Sequence, residues 1–245
     1  MSDTPAETKP SFRSDVTVEL VKHTAGDSDV LWAARVSTAG EQSLEELSKD
    51  PERSKGLINY LMRDRHGSPF EHNSMTFFVS APIFVFREFM RHRVGWSYNE
   101  ESGRYRELQP VFYVPGADRK LVQEGRPGKY VFVDGTREQQ DLTGRVMETS
   151  YVQAYEAYQE MLAAGVAREV ARAVLPVGLF SSMYATCNAR SLMHFLGLRT
   201  QHEQARTPSF PQREIEMVGE RMEAHWAALM PLTHAAFNAN GRVAP

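Results

Sequence analysis

The chain has 245 residues, 42% hydrophobic and 24% charged, which is the balance of an ordinary globular protein and not of a disordered or fibrous one. A net charge of −3 offers no global attraction for nucleic acid, so any cationic site has to be local. No apolar run is long enough to span a bilayer, and a lone cysteine, Cys187, cannot form an internal disulfide, so a cytoplasmic setting is expected.

The opening residues, MSDTPAETKPSF, lack the basic start and apolar stretch of a secretory signal, and residues 1–13 read as a disordered leader. VTVELVKH (Val16–His23) alternates apolar and polar residues as a half-buried strand does. Asp27 or Ser28 can cap a short helix, SDVLWAARVS, and Pro51 suits the first turn of a helix running to about Arg65. HGSPFEH (His66–His72) breaks that helix, and SMTFFVS (Ser74–Ser80) is aromatic and β-prone. Pro82 opens a helix that stays apolar on most sides until Arg91. ELQPVFYVP reads as an edge strand because Pro110 has no ladder donor. Residues 115–135 read as an exposed loop with room for a short helix.

A long helix is expected from about Thr136 to Ala164, stopped by Gly165. VAREVARAVLP is a further helix ended by Pro176, VGLFSSMYATC a strand or hairpin, and NARSLMHFLGLR a helix capped by Asn188. QREIEMVGERMEAHWAALM is amphipathic, and residues 241–245 read as a loose tail. There is no repeat, linker or composition break. Strands and helices mix without regular βαβ alternation, so one α+β domain over residues 14–240 is expected.

Three segments depart from this plain pattern. In NARSLMHFLGLR, Leu192, Phe195 and Leu196 form a core stripe, and Arg199 continues it at i+7, while Arg190 and His194 share the opposite side. Either Arg199 snorkels to water near the helix end, or it meets a buried anion. In VAREVARAVLP, Val166, Val170, Ala171 and Val174 make an apolar face, with Arg168 and Arg172 stacked on the other. Those arginines form either a solvated face or an anion site. In FREFMRHRVGWSYNEESGRYRE, Phe86, Phe89 and Met90 form a stripe continued by Arg93, and Arg87 stacks with Arg91. Helix-dipole complementation, worth about 0.3–1 kcal/mol, accounts for one or two of these charges. The loop that follows supplies Ser97, Asn99, Glu100, Glu101, Ser102 and Arg104, a mixture suited to a ligand with phosphate and a heterocycle.

Other chemistries lack their signatures. His66 and His72 are not at i, i+4 spacing and no HExxH or CxxC occurs, so no metal is expected. GxGxxG, Walker and GxSxG motifs are absent, and Cys187 sits in a β-prone apolar segment as an inert thiol.

Arg91-His92-Arg93, eight residues and then Ser102 resembles the signature of the flavin-dependent thymidylate synthases. HGSPFEH, APIFVFREFMRHR, SYNEESGRY, REVARAVLP and NARSLMHFLGLR resemble further blocks of that family in its order, so the resemblance runs from about Val16 to the end. It implies an α+β fold with a central, mostly antiparallel sheet flanked by helices. It also implies a homotetramer with active sites shared between subunits, bound FAD, NADPH as reductant, methylenetetrahydrofolate as carbon donor and dUMP as acceptor. Neither nucleic acid nor membrane is an implied partner.

Carried over residue by residue, the FAD contacts are Ser68, Arg91, His92, Arg93, Glu100, Asn188, Ala189, Arg190 and His194. Those to dUMP are Glu88, Phe89, Met90, Arg91, Glu100, Glu101, Ser102, Gly103, Arg104, Arg172 and Arg199, with Arg199 the catalytic residue. His66 resembles a family histidine on the folate and flavin side. Many members carry Gln where this chain has Glu88; a carboxylate there would repel phosphate, so pairing with a neighbouring arginine or a main-chain role is expected. Two other readings are a same-fold methylase acting on UMP and a non-redox RNA- or nucleotide-binding module.

Overall fold

The computed structural model describes residues 9–40, 50–126 and 129–245. The strands are β1 (Ser11–Arg13), β2 (Thr17–His23), β3 (Met75–Pro82), β4 (Trp96–Glu100), β5 (Val111–Tyr113), β6 (Val122–Arg126), β7 (Lys129–Val133) and β8 (Phe180–Cys187). The helices are α1 (Asp27–Ala39), α2 (Pro51–Arg63), α3 (Ile83–Phe89), α4 (Arg137–Ala163), α5 (Arg168–Ala171), α6 (Ala189–Arg199), α7 (Arg213–Leu229) and α8 (Pro231–Ala239). The class is α+β, as expected. Among the described residues no helix is long and apolar enough to cross a membrane.

The chain forms two compact units. One holds the described residues up to Val16 together with Ser80–Phe86 and Glu100–Ser182. Its centre is the long helix α4. The Thr136 hydroxyl accepts from the Gln139 N–H and the Gln139 side chain accepts from the Thr136 N–H, a reciprocal cap, and Gly165 follows at φ 82. Tyr151, Tyr155 and Tyr158, spaced to share a face, bury against Leu108, Phe112, Ala171 and Leu179. Each large apolar side chain so buried contributes about 1.5–3 kcal/mol. Gly178 is required here, since a Cβ would lie 2.3 Å from the Tyr151 hydroxyl.

Three expectations change in this unit. The leader is not disordered throughout: Ser11, Phe12 and Arg13 pair in parallel with Val111, Phe112 and Tyr113, giving the β5 edge a partner, while residues 1–8 lie outside the described residues. The 115–135 stretch is an antiparallel hairpin, with Val122 opposite Val133 and Arg126 opposite Lys129, and its residues 127–128 lie outside the described residues. The 166–176 helix is reduced to the four residues of α5 and a 3-10 turn at Arg172–Val174, because Ala167 provides no side-chain cap and Pro176 follows closely. Its expected apolar face is only half in the core: Ala171 is buried and Val166 packs against the same cluster, whereas Val170 is 61% and Val174 41% exposed.

The other unit holds Thr17–Val79, Arg87–Asn99 and Met183–Pro245. It carries most of a four-stranded sheet ordered β2-β3-β8-β4. The Thr24 N–H donates to the Ser74 carbonyl just beyond the paired ends of β2 and β3, as antiparallel strands require. Helix ends are closed by side chains from near and far. Asp50 accepts from the Arg53 N–H, and Asn188 from the Ser191 N–H. Asp27, expected to cap α1, instead accepts from the Leu232 and Thr233 N–H groups at the start of α8, and Asp29 caps α1 by bonding the Gly26 N–H.

The tail is not loose. Arg242, 3% exposed, donates to both Glu223 carboxylate oxygens at 2.6 and 2.7 Å, to Asn238 at 2.7 Å and to the Thr200 hydroxyl at 2.9 Å. A buried guanidinium needs this full set of acceptors to offset its desolvation, and the set holds the last residues in place.

Candidate functional site

Helix α6 carries the first group of candidate residues. Leu192, Phe195 and Leu196 are fully buried, as the core stripe requires. Arg199 closes that stripe at the last helical position. Its guanidinium is held by three bonds: Nη1 forms an ion pair with the Glu88 carboxylate, Nη2 donates to the Glu88 carbonyl at 3.3 Å, and Nε donates to His92 Nε2 at 3.1 Å. Within the chain the partner of Arg199 is the half-buried Glu88, so the carboxylate that departs from the family's usual Gln is paired with an arginine.

His92 can accept from Arg199 only with Nε2 unprotonated, which places the ring proton on Nδ1. Burial, then the positive charges of Arg199 and His194, push its pKa down to about 4. Its ring packs edge-on against Phe195 at 4.9 Å.

The expected helix to Arg91 stops at Phe89, so Arg91 and Arg93 do not continue a helical stripe and Arg87 does not stack with Arg91. The cause lies beyond the helix. The Phe89 carbonyl accepts from the His92 N–H at 3.0 Å in a tighter turn, and the Tyr98 hydroxyl bonds the carbonyls of His92 (2.6 Å) and Phe89 (3.3 Å) in place of a further α-helical turn. Gly95, at φ 70, then reverses the chain. Arg91 and Arg93 are exposed and form no ion pair with any described residue.

At the opposite end of α6, Arg190 donates to Glu71 at 2.5 Å and to the Pro245 carbonyl at 2.6 Å. Its guanidinium lies so near Gly67 that a Cβ there would be 2.5 Å from it. Asn188 caps the helix, and the Ala189 N–H donates to Asn73 at 2.8 Å. Burial, Arg190 and Arg65 lower the His194 pKa. Ser68 and His66 are exposed on the adjoining turn, where His66 stacks on Tyr60. Arg65, Glu71, Asn73 and Pro245 were not singled out from sequence, because each acts through a contact distant along the chain.

The second group belongs to the other unit. Glu100, Glu101, Gly103 and Arg172 line a cavity of about 450 Å³, with Ile83, Leu108, Leu175 and Leu179 as its apolar wall. Arg172 is half-buried and its stem packs on Gly103, whose added Cβ would lie 3.2 Å from Arg172 Cδ; Arg168, stacked with it in the sequence reading, is exposed. The Ser102 hydroxyl accepts from the Arg104 N–H at 3.3 Å, and Arg104 turns to Glu169 at 3.3 Å; neither Ser102 nor Arg104 lines the cavity. Ser181, missed from sequence, does line it and donates to Glu100 at 2.7 Å. The signal was available: a serine pair in an otherwise apolar strand, LFSSMYATC.

Three kinds of comparison bear on this arrangement. The family described as thymidylate synthase complementing protein matches residues 19–232. The flavin-dependent thymidylate synthase of Streptomyces avermitilis is 89% identical over 100% of both chains, and that of Streptomyces coelicolor 84% over 100% of both. The crystal structure of a UMP/dUMP methylase, PolB from Streptomyces cacaoi, bound with 5-Br dUMP, superposes with a TM-score of 0.90 at 57% identity, covering 96% of this chain and 100% of that one.

Proposed function

The chain belongs to the flavin-dependent thymidylate synthase family, and from that premise we propose how its own residues serve the family's reaction, the reductive methylation of dUMP to dTMP with methylenetetrahydrofolate as carbon donor and NADPH as reductant. When bound, FAD would supply the redox chemistry between NADPH and the methylated pyrimidine.

The observation that carries the assignment is the fixed guanidinium of Arg199. Held from Nε by His92 and from Nη by Glu88, it is permanently charged and already oriented. Directed at O2 and N3 of the uracil, it stabilises the negative charge that makes C5 nucleophilic, the catalytic role assigned here. Glu88, Phe89, Met90 and Arg91 border the nucleotide in this reading.

The residues around the start of α6 fit a flavin dinucleotide. In this reading Arg91 and Arg93, exposed cations with no ion pair to any described residue, meet its phosphates, with Arg190, Asn188, Ala189, His194 and Ser68 on or beside the first turns of α6 and His92 nearer its Arg199 end. His66 is assigned to the folate side. The cavity with Arg172, Glu100, Glu101 and Gly103 is assigned to phosphate and sugar, with Ser102 and Arg104 at its approach. A charge-assisted bond is worth about 1.5–3 kcal/mol, so these arginines can supply much of the nucleotide affinity. We further infer a cytoplasmic homotetramer whose active sites draw residues from more than one copy.

Purified protein should be yellow, bleach on adding NADPH, and release tritium from dUMP labelled at C5. A colourless protein that takes up no FAD would overturn the reading in favour of a binding module. Turnover of UMP and dUMP compared side by side tests the sugar preference; UMP as the better substrate would replace dUMP in this account.

A further inference from the structure

Ser181 is 3% exposed and follows Leu179 and Phe180, both of the core, at the start of β8. A buried hydroxyl left without a partner is costly, so its one acceptor defines what the residue does. That acceptor is Glu100 Oε1, at 2.7 Å. The next serine repeats the arrangement: Ser182 donates to Glu101 at 3.1 Å, and its carbonyl accepts from the Glu101 N–H at 2.9 Å. The backbone bond fixes the register in which both serine–carboxylate pairs form.

We propose that Ser181 is a positioning residue of this enzyme, anchoring the Glu100 carboxylate beside Arg172 at the wall of the nucleotide cavity. The proposal rests on the assignment of that cavity to dUMP. Burial and three side chains act on the Glu100 carboxyl. Partial burial favours its neutral form, the Ser181 bond favours the anion, neighbouring Glu101 disfavours it and Arg172 favours it; the outcome is a pKa raised from the ordinary carboxylate value. Glu169, also lining the cavity, adds a further negative charge that is partly met by Arg104. Ser181, through its hydrogen bond, and Arg172, through its charge, are thus the two side chains that favour the anion. An anion there accepts from a sugar hydroxyl, whereas a protonated, unanchored carboxyl is free to rotate away.

The experiment is a carbon NMR titration of the glutamate carboxyls in the wild-type protein, Ser181→Ala and Ser181→Cys, with Glu100→Gln assigning the Glu100 signal. The Cys variant keeps the side-chain shape with a weak donor, so the test stands even if the Ala variant folds poorly. In both variants the Glu100 midpoint should rise by about one pH unit, the equivalent of one charge-assisted bond. The KM for dUMP should rise several-fold below the new midpoint, while kcat at saturation changes less. An unmoved midpoint overturns the proposal. Calorimetry of dUMP with Glu100→Gln separates the underlying assignment: unchanged binding means the cavity is not the nucleotide site, which removes the positioning role whatever the midpoint does.

Discussion

Arg199 donates from Nε to His92 Nε2 at 3.1 Å, tying the last residue of α6 to the middle of the Arg91-His92-Arg93 run. The bond requires a neutral histidine, and this gives stability a pH dependence. The folded pKa, about 4, lies below the ordinary 6.5. The unfolded chain therefore binds the extra proton first, so the contribution is complete above about pH 6.5 and is lost as pH falls towards 4. Urea denaturation at pH 7 and pH 5 should show a drop in stability for the wild type and a smaller drop for His92→Gln. Equal drops would refute the coupling.

Arg199→Ala removes the fixed cation. A fall in kcat of about 10²–10³-fold is expected, the usual loss for one preorganised donor. Flavin content and the circular dichroism spectrum should stay at wild-type levels. Full turnover would remove Arg199 from the chemistry.

Glu88→Gln tests the ion pair that occupies Arg199. The carboxylate competes with an incoming uracil for the guanidinium, and the amide competes less. The KM for dUMP should fall about tenfold, the scale of one charge-assisted hydrogen bond. A raised KM would show instead that the hold of Glu88 on the arginine outweighs its competition with the uracil.

Cys187 is 3% exposed, and burial pushes its thiol pKa up, so it is no nucleophile at neutral pH. Cys187→Ala should keep turnover within about twofold while losing about 1 kcal/mol of stability from the small cavity. A folded but inactive variant would point to thiol chemistry.

Arg242→Ala leaves Glu223 without the partner that outweighs its burial and holds its pKa down to about 2. Breaking one side of a buried pair costs about 3–5 kcal/mol. Thermal melting should show a loss of that order. A change under about 1 kcal/mol would mean the terminal residues are not structural.

The features legible in the sequence are those decided within a few residues. Asn188 caps α6, Thr136 and Gly165 bracket α4, and Leu192, Phe195 and Leu196 face the core because capping and periodicity are short-range effects. The Arg91-His92-Arg93 to Ser102 spacing pointed to the family for a related reason: its residues are close in the chain. Tertiary structure decided what depends on the path of the backbone between distant residues. It ends α3 at Phe89 through the Tyr98 hydroxyl, pairs Ser11–Arg13 with Val111–Tyr113, and buries Arg242 against Glu223. It also gives Arg199 its carboxylate in Glu88 and Glu100 its hydroxyl in Ser181. Separation along the chain carries no distance information once the chain is compact, so a charge on an apolar stripe announces that a partner exists, and only the fold selects which residue it is.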